Sequence, residues 1–408
     1  MKILNFGSCN IDYVYSMDHI VKSGETEMTS GLEIFAGGKG LNQSIAISRA
    51  GAEVYHAGCI GNDGGMLMDI LNDSGVDTSY IKRVDVKNGH AVIQVGKNGE
   101  NSIFLHPGSN SMITKEIVSE TLSDFGCGDI LLLQNEINNI EYIIKEAYAK
   151  GMRVILNPSP LDEGIFRVDF SMLSYLILNE IEARAITGFS ESDRILDYFK
   201  ETYPELKIML TLGSAGCIYS DGDLRLNHPA FRVDAVDTTA AGDTFTGYFI
   251  AGIARGDDFP EIIKKASAAA AISVSRNGAA PSIPHIKEVE DSLPYFTVIG
   301  SDRKGDRLRC QIDGYIKNNL KSASLESLAN ILGYSTAYTG NIVKKVTGNS
   351  FSELLQSARC VTAADLLKNT DMSVSEIIHT VGYENESFFR KIFKEKYGKN
   401  PLKYKNSI

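Results

Sequence analysis

Val233-Asp-Ala-Val-Asp-Thr-Thr-Ala-Ala-Gly-Asp-Thr-Phe-Thr-Gly247 sets small side chains and one acid, Asp243, at the point where a helix should begin. Ala240, Ala241 and Gly242 have almost no side chain, so an anion can reach their backbone N–H groups, which at a helix N-terminus carry partial positive charge. A carboxylate beside such a seat can take a hydroxyl proton while the amides hold the charge that develops on a transferring phosphoryl group. The chemistry suggested is phosphorylation of an alcohol, with Asp243 as base and Ala240, Ala241 and Gly242 as anion hole. Taken alone, Ala-Gly-Asp reads first as a capping acid that satisfies free N–H groups and the helix dipole. Its company shifts the balance.

Asn10 and Asp12 stand in Gly7-Ser-Cys-Asn-Ile-Asp12 just after an apolar opening strand, and Phe35-Ala-Gly-Gly-Lys-Gly-Leu-Asn-Gln43 places Gly37, Gly38 and Gly40 before an alanine-rich helix. Leu133-Gln-Asn-Glu136, Asn157-Pro-Ser-Pro160, Asn179-Glu-Ile-Glu182, Thr211-Leu-Gly-Ser-Ala-Gly216 and Ser275-Arg-Asn-Gly-Ala-Ala-Pro-Ser282 follow in order. With the Asp243 stretch, these patches resemble the ribokinase branch of the PfkB carbohydrate kinase family over roughly residues 1–290. The resemblance implies an α/β fold, a parallel sheet flanked by helices with a small β lid, and a sugar as acceptor. A Gly-x-x-x-x-Gly-Lys-Ser/Thr loop is absent from the sequence, which disfavours a P-loop kinase.

By the same resemblance, Asp12 accepts from sugar hydroxyls, two of which one carboxylate can serve. Asn10, Asn42 and Glu136 assist, with the backbone at Gly37 and Gly38 approaching closely. Lys39 reads either as a contact to phosphate or sugar oxygen or as a solvated lysine beside a turn, and Asn42 either as a sugar contact or as a helix cap. Glu136 follows a buried strand, where ligand crevices of α/β sheets lie. On the ATP side, Thr211, Gly213 and Gly216 bring backbone near the nucleotide. Asn179 and Glu182 match an Asn-x-x-Glu pattern near the Mg²⁺-bound phosphates, and their spacing puts both on one helical face. A cap and a first-turn acid is the plainer reading of that pair. Asp237, Thr239, Ser273, Arg276, Gly278 and Ser282 fall where relatives hold a monovalent cation, implying K⁺ activation. Three functions stay in view: a ribose kinase, a sugar sensor without useful catalysis, and a kinase for fructose, a deoxysugar or a nucleoside.

Of the 408 residues 43% are hydrophobic, enough for ample core, and the length favours two domains. Charge is divided unevenly. Residues 1–300 carry net −16 and residues 301–408 net +6, within a total of −10. A basic compact end on an acidic protein invites a polyanion there. Cys9, Cys59, Cys127, Cys217, Cys310 and Cys360 show no metal or redox spacing and read as reduced thiols of a cytosolic protein. No apolar run is long enough to suggest export or a membrane span.

Apolar runs such as Ile130 to Leu133 alternate with helical periodicity such as Glu141 to Lys150, the pattern of a parallel sheet. Residues 12–35 and 88–106 depart from it and read as antiparallel lid strands, the second pair turning at Lys97-Asn98-Gly99. In the family such strands cover the sugar and pair between subunits, so a homodimer through the lid is expected, which also hides an open edge. A linker is expected over 291–305. Beyond it, Ser324-Leu-Glu-Ser-Leu-Ala329 with Ile331-Leu-Gly-Tyr-Ser335 reads as helix, glycine turn, helix, and Val374-Ser-Glu-Ile-Ile-His-Thr-Val-Gly-Tyr-Glu-Asn-Glu386 repeats the unit. With Phe388-Phe389, Phe393-Lys394, Gly398, Pro401 and Tyr404, residues 306–408 resemble an AraC-type tandem helix-turn-helix domain that binds double-stranded DNA. Asn385, Ser387, Arg390 and Lys391 are placed on its second recognition helix, entering a major groove. Thr339, Gly340 and Val343 depart from the family pattern and predict a weak or altered first recognition helix, since an exposed helical glycine costs about 1 kcal/mol.

Overall fold

Thirteen strands occur among the described residues: β1 (Ile3–Phe6), β2 (Asn10–Met17), β3 (Gly31–Gly37), β4 (Tyr55–Ile60), β5 (Asp77–Arg83), β6 (Gly89–Gly96), β7 (Asn101–His106), β8 (Ile130–Gln134), β9 (Arg153–Asn157), β10 (Tyr175–Asn179), β11 (Lys207–Thr211), β12 (Cys217–Ser220) and β13 (Arg225–His228). The computed structural model describes residues 1–98, 100–298, 304–347, 349–370 and 372–405, without the side chains of 304–307, 309, 310 and 346. The chain divides into two units, Met1–Ile299 and Gly300–Ile408.

Nine strands form one sheet in the order β13-β12-β11-β10-β9-β8-β1-β4-β5. Successive side chains of a strand point to opposite faces. Ile3, Ile130 and Leu132 accordingly enter one core while Leu4, Phe6, Leu131 and Leu133 enter another, as befits a sheet covered on both sides. From β5 to β11 neighbours run parallel, but β12 and β13 turn back antiparallel, so the expected parallel sheet is a mixed one. The reason is chain length: a parallel return needs about a dozen residues, and the connections at the β12 edge are shorter.

The lid has the order β3-β2-β6-β7. Pairs β2–β3 and β6–β7 are antiparallel as expected, but the central pair β2–β6 is parallel. Both strands leave the large sheet after strands that run the same way, β1 and β5, and so emerge in the same direction. Residues 18–30, inside the expected 12–35 span, lie outside strands. The second hairpin turns through Lys97 and Asn98, while Gly99 lies outside the described residues.

Residues 291–298, expected to open a linker, belong to the first unit. Leu293, Phe296 and Val298 pack on its core, and Val298 bridges Phe231, because three apolar side chains in a polar stretch gain by burial. The second unit is helical: Lys304–Asn318, Leu325–Leu332, Thr336–Thr347, Phe351–Asn369, Val374–Thr380, Glu386–Tyr397 and Pro401–Lys405. Ser324 caps the second of these, and Ser373 with Glu376 closes a capping box on the fifth. Helix Thr336–Thr347 runs unbroken for 12 residues across Gly340. Thr339 and Val343 are fully buried, and a Cβ at Gly340 would sit 3.4 Å from Leu325 Cδ2, so the small residues face the preceding helix and packing offsets their propensity. Among the described residues no helix is long and apolar enough to cross a membrane.

Candidate active site

Asp243 is 6% exposed, in the first turn of helix Ala241–Arg255. Its carboxylate is held by a different helix, Lys39–Arg49: Asn42 Nδ2 donates to Oδ2 at 3.1 Å and Gln43 Nε2 to Oδ1 at 2.8 Å. No side chain caps helix Ala241–Arg255, so Asp243 is not spent on its own turn. The N-cap residue Ala240 has φ 60°, a left-handed conformation that costs an L-residue about 1–2 kcal/mol. Gly242 is exposed, with open space where a Cβ would stand, and the geometry of a first turn leaves the N–H groups of Gly242 and Asp243 without partners inside the helix. One expected donor is engaged elsewhere: the Ala241 N–H turns back to Thr238 O at 3.3 Å, which moves the seat toward Gly242 and Asp243.

Lys39 is half-buried rather than a solvated surface lysine. Asp243 first, then Glu136 and Glu182, hold its ammonium protonated and raise its pKa against the opposing effect of burial. The cation therefore lies in the field of three acids carried by different elements, Asp243, Glu136 and Glu182.

On the sugar side, Asp12 projects from β2 opposite the end of β3. Burial, and next the charge of Glu136, lift its pKa from 3.8 to about 7. Glu136 is raised by burial too, although a bond from Ser8 Oγ and one from the Lys39 N–H at 2.9 Å work the other way. Gly37 is close-packed on Asp12: an added Cβ would stand 2.0 Å from Oδ2. Gly38 has φ 95°, and a Cβ added there would stand 3.0 Å from the Asn10 nitrogen and 3.2 Å from Ser8 Oγ. Asn10 Oδ1 accepts from Asn110 Nδ2 at 2.7 Å. A cavity of 280 Å³ is lined by Asn10, Asn110 and Glu136 with Leu105 and His106 of the lid, and its wall stops short of Asp12, Lys39 and Asp243. Asn42 is not a helix cap; Gly38 holds that position, and the buried Asn42 Oδ1 has no partner among the described residues. An acceptor left so is open to a donor from outside the chain.

On the ATP side the plainer reading of Asn179 and Glu182 is realised. Asn179 Oδ1 accepts from the Ile181 and Glu182 N–H groups, and Glu182 Oε2 accepts from the Asn179 N–H at 3.0 Å, a capping box on helix Glu180–Thr187. Thr211 ends β11, its hydroxyl donating to Leu178 O at 3.4 Å. Gly213 has φ 53° and open space around it, as close nucleotide approach requires. Gly216 has another reason to be glycine: a Cβ there would stand 2.1 Å from His228 O, so its smallness serves the turn into β12.

The expected cation residues form two clusters. Asp237 Oδ1 accepts from the Thr239 N–H and hydroxyl and Oδ2 from the Gly278 N–H at 2.9 Å, bonds that hold its pKa low although burial acts to raise it. Ser273 and Ser282 hydroxyls meet at 2.8 Å. The Arg276 guanidinium pairs with Glu288, so only the main chain of Arg276 could serve a cation. Among the described residues no three His, Cys, Asp or Glu side chains gather to hold a metal.

In the second unit, Asn385 caps helix Glu386–Tyr397 through its oxygen, which accepts from the Phe388 N–H at 3.0 Å. Arg390 donates to Glu386 at 2.9 Å along the same helix, and Ser375 holds the other Glu386 oxygen. Ser387 and Lys391 are exposed.

Sequence reasoning gave no individual role to Gln43, Gln134, Asn157, Ser8 or Asn110. Four of the five lie in or beside the motifs quoted for the resemblance, and amides at the ends of apolar strands were the signal for Gln134 and Asn157.

Comparison with known proteins agrees with this geometry. Residues 1–286 match the pfkB family carbohydrate kinases and residues 328–407 match a helix-turn-helix domain. A ribokinase of Haemophilus influenzae is 36% identical over 302 residues, covering 71% of this chain and 97% of that protein. The structure of ribokinase from Cryptococcus neoformans in complex with ADP superposes with a TM-score of 0.63 at 34% identity, over 71% of this chain and 99% of that one. Arabidopsis thaliana ribokinase, complexed with ribose and ATP, gives 0.63 at 29% identity, over 72% and 98%. The chain therefore belongs to the pfkB family of carbohydrate kinases, as an ATP-dependent enzyme whose C-terminal unit is an AraC-type helix-turn-helix domain.

Proposed function

We propose that the first unit transfers the γ-phosphoryl group of ATP to the 5-hydroxyl of ribose, with Asp243 as general base. The observation that carries this reading is the double amide grip on a buried Asp243 at an uncapped helix start, with Lys39 in its field. Asp243 takes the hydroxyl proton, the sugar oxygen bonds to the γ-phosphorus, and the bond to the β–γ bridging oxygen breaks. The seat at Gly242 and the Lys39 ammonium stabilise the charge that gathers on the transferring group. Asp12, Asn10, Asn42 and Glu136 would hold the sugar hydroxyls, and the names of the relatives favour ribose over fructose, a deoxysugar or a nucleoside. A pure sensor has no use for an acid so placed.

Mg²⁺ would arrive on the ATP phosphates and neutralise their charge, keeping most of its waters, with Asn179 and Glu182 nearby. The oxygen-rich set at Asp237, Thr239, Ser273, Gly278 and Ser282 suits K⁺, which would brace the loop before Ala240. The exposed apolar lid residues Leu32, Ile34, Ile103, Phe104 and Leu105 support a homodimer through the lid. The second unit would read duplex DNA through Ser387 and Lys391, with Arg390 released from Glu386 on contact and Asn385 helping from the helix start.

The test is ADP release by purified protein offered ribose, deoxyribose, fructose and nucleosides. Ribose should give the highest kcat/KM, and Asp243→Asn should lower kcat by roughly 10²- to 10⁴-fold. Turnover close to wild type in that variant would refute the assignment.

A further inference from the structure

Behind Asp243 lies a buried row of amides. Gln43 Nε2 faces two acceptors, Asp243 Oδ1 at 2.8 Å and Asn157 Oδ1 at 3.3 Å, while Gln43 Oε1 accepts from Gln134 Nε2 at 2.7 Å. Gln134 Nε2 also donates to Asn5 Oδ1 at 2.9 Å, and Asn5 Nδ2 goes on to Gly40 O and Ser44 Oγ. Asn157 spends its own Nδ2 on Ile177 O at 2.8 Å, so its oxygen is turned toward Gln43. Asn5, Gln43 and Gln134 are wholly buried. Asn5, Gln134 and Asn157 come from adjacent parallel strands, β1, β8 and β9, with Gln134 and Asn157 in direct register, while Gln43 reaches them from helix Lys39–Arg49.

Gln134 Oε1, also buried, has no partner among the described residues, but the orientation of Gln43 is set by its neighbours. Flipping the Gln43 amide would set its oxygen against the Asp243 carboxylate and its NH₂ against the NH₂ of Gln134, two losses in a place where water cannot compensate. The sheet thus dictates which way Gln43 points, and Gln43 dictates how Asp243 lies. Glycine at 247 completes the arrangement, since a Cβ there would stand 2.4 Å from Ala46 Cβ; the two helices that carry the base and its amide meet in direct contact.

We propose that Gln43 is a positioning residue for phosphoryl transfer: anchored on the sheet through Gln134 and Asn157, it fixes the rotamer of Asp243. Asn42, on the other oxygen, has an unsatisfied acceptor that can meet substrate, whereas every partner of Gln43 is protein. The inference rests on Asp243 being the base.

Gln43→Met keeps length and removes the donor. Single-turnover phosphoryl transfer should fall by about 10- to 100-fold with the sugar KM changed by less than about threefold, the signature of an interaction that acts on the transition state. Gln43→Glu preserves shape and sets a second carboxyl against the first, so its single-turnover rate should fall at least as far, again with the sugar KM nearly unchanged. Should the Met variant not fold, the Glu variant's rate and KM carry the test. An unchanged single-turnover rate in folded variants would overturn the proposal, as would a loss confined to KM. Asp243→Asn, measured alongside, separates the two ideas: if it stays active the base assignment fails, and if it is inactive while the Gln43 variants keep the wild-type rate, only the role of Gln43 fails.

Discussion

Gly37→Ala adds one methyl group and should disable the sugar side of the site. An ideal Cβ at this position lies 2.0 Å from Asp12 Oδ2, 2.5 Å from Cγ and 2.9 Å from Oδ1. Non-bonded carbon and oxygen do not approach within about 3 Å, so the carboxyl must retreat by about 1 Å, and a displacement of that size can cost about 10²-fold. A second route gives a similar figure. Losing a hydrogen bond to a charged acceptor costs about 1.5–3 kcal/mol, which is about 10- to 100-fold. Asp12 has a short side chain and Glu136 acts on it electrostatically, so retreat is not free. In a coupled ADP-release assay, kcat/KM for the sugar should fall by about 10²-fold while the KM for ATP stays within about twofold. On an Asp12→Ala background the methyl group has no carboxyl to strike, and adding Gly37→Ala should cost little more. A folded Gly37→Ala protein with an unchanged sugar KM would refute the idea that Asp12 holds the sugar from this position.

Sugar binding should weaken as pH falls through about 7, because the Asp12 carboxylate must be ionised to accept hydroxyls and burial lifts its pKa to about that value; a calorimetric titration of sugar between pH 5.5 and 8.5 reads this directly. The same shift has a stability sign: the native state keeps the Asp12 proton longer than the unfolded state, so stability falls as pH rises from 3.8 to about 7, and Asp12→Asn should raise Tm at pH 8 and leave it little changed at pH 3.5. Phe104→Asp puts a charge on the exposed lid face and should convert a dimer to monomers by sedimentation, whereas a monomeric wild type would remove the lid interface altogether. Gly340→Ala should stabilise the second unit by roughly 0.5–1 kcal/mol, since the new methyl group meets only the flexible tip of Leu325 at 3.4 Å; chemical denaturation followed by circular dichroism measures it.

Residues 130–133 announced a buried strand because continuous apolar runs have few other solutions, and Ser324 and Gly333 announced helix ends because capping is local chemistry. The division into an acidic kinase unit and a basic helical one, and the helix start that carries Asp243, were legible from residue type and order. Strand direction at the sheet edge, the parallel joining of β2 to β6 and the packing of 291–298 were not, because they depend on where neighbouring strands and connections lie once the rest has folded. The same divide runs through the site. Sequence singled out Asp243, but residues 42, 43 and 243 meet only because two helices pack, and the amides at 5, 134 and 157 line up only because three strands share a register. Hydrogen-bond partners some 90 to 200 residues apart leave no local periodicity to read; the sheet supplies their adjacency.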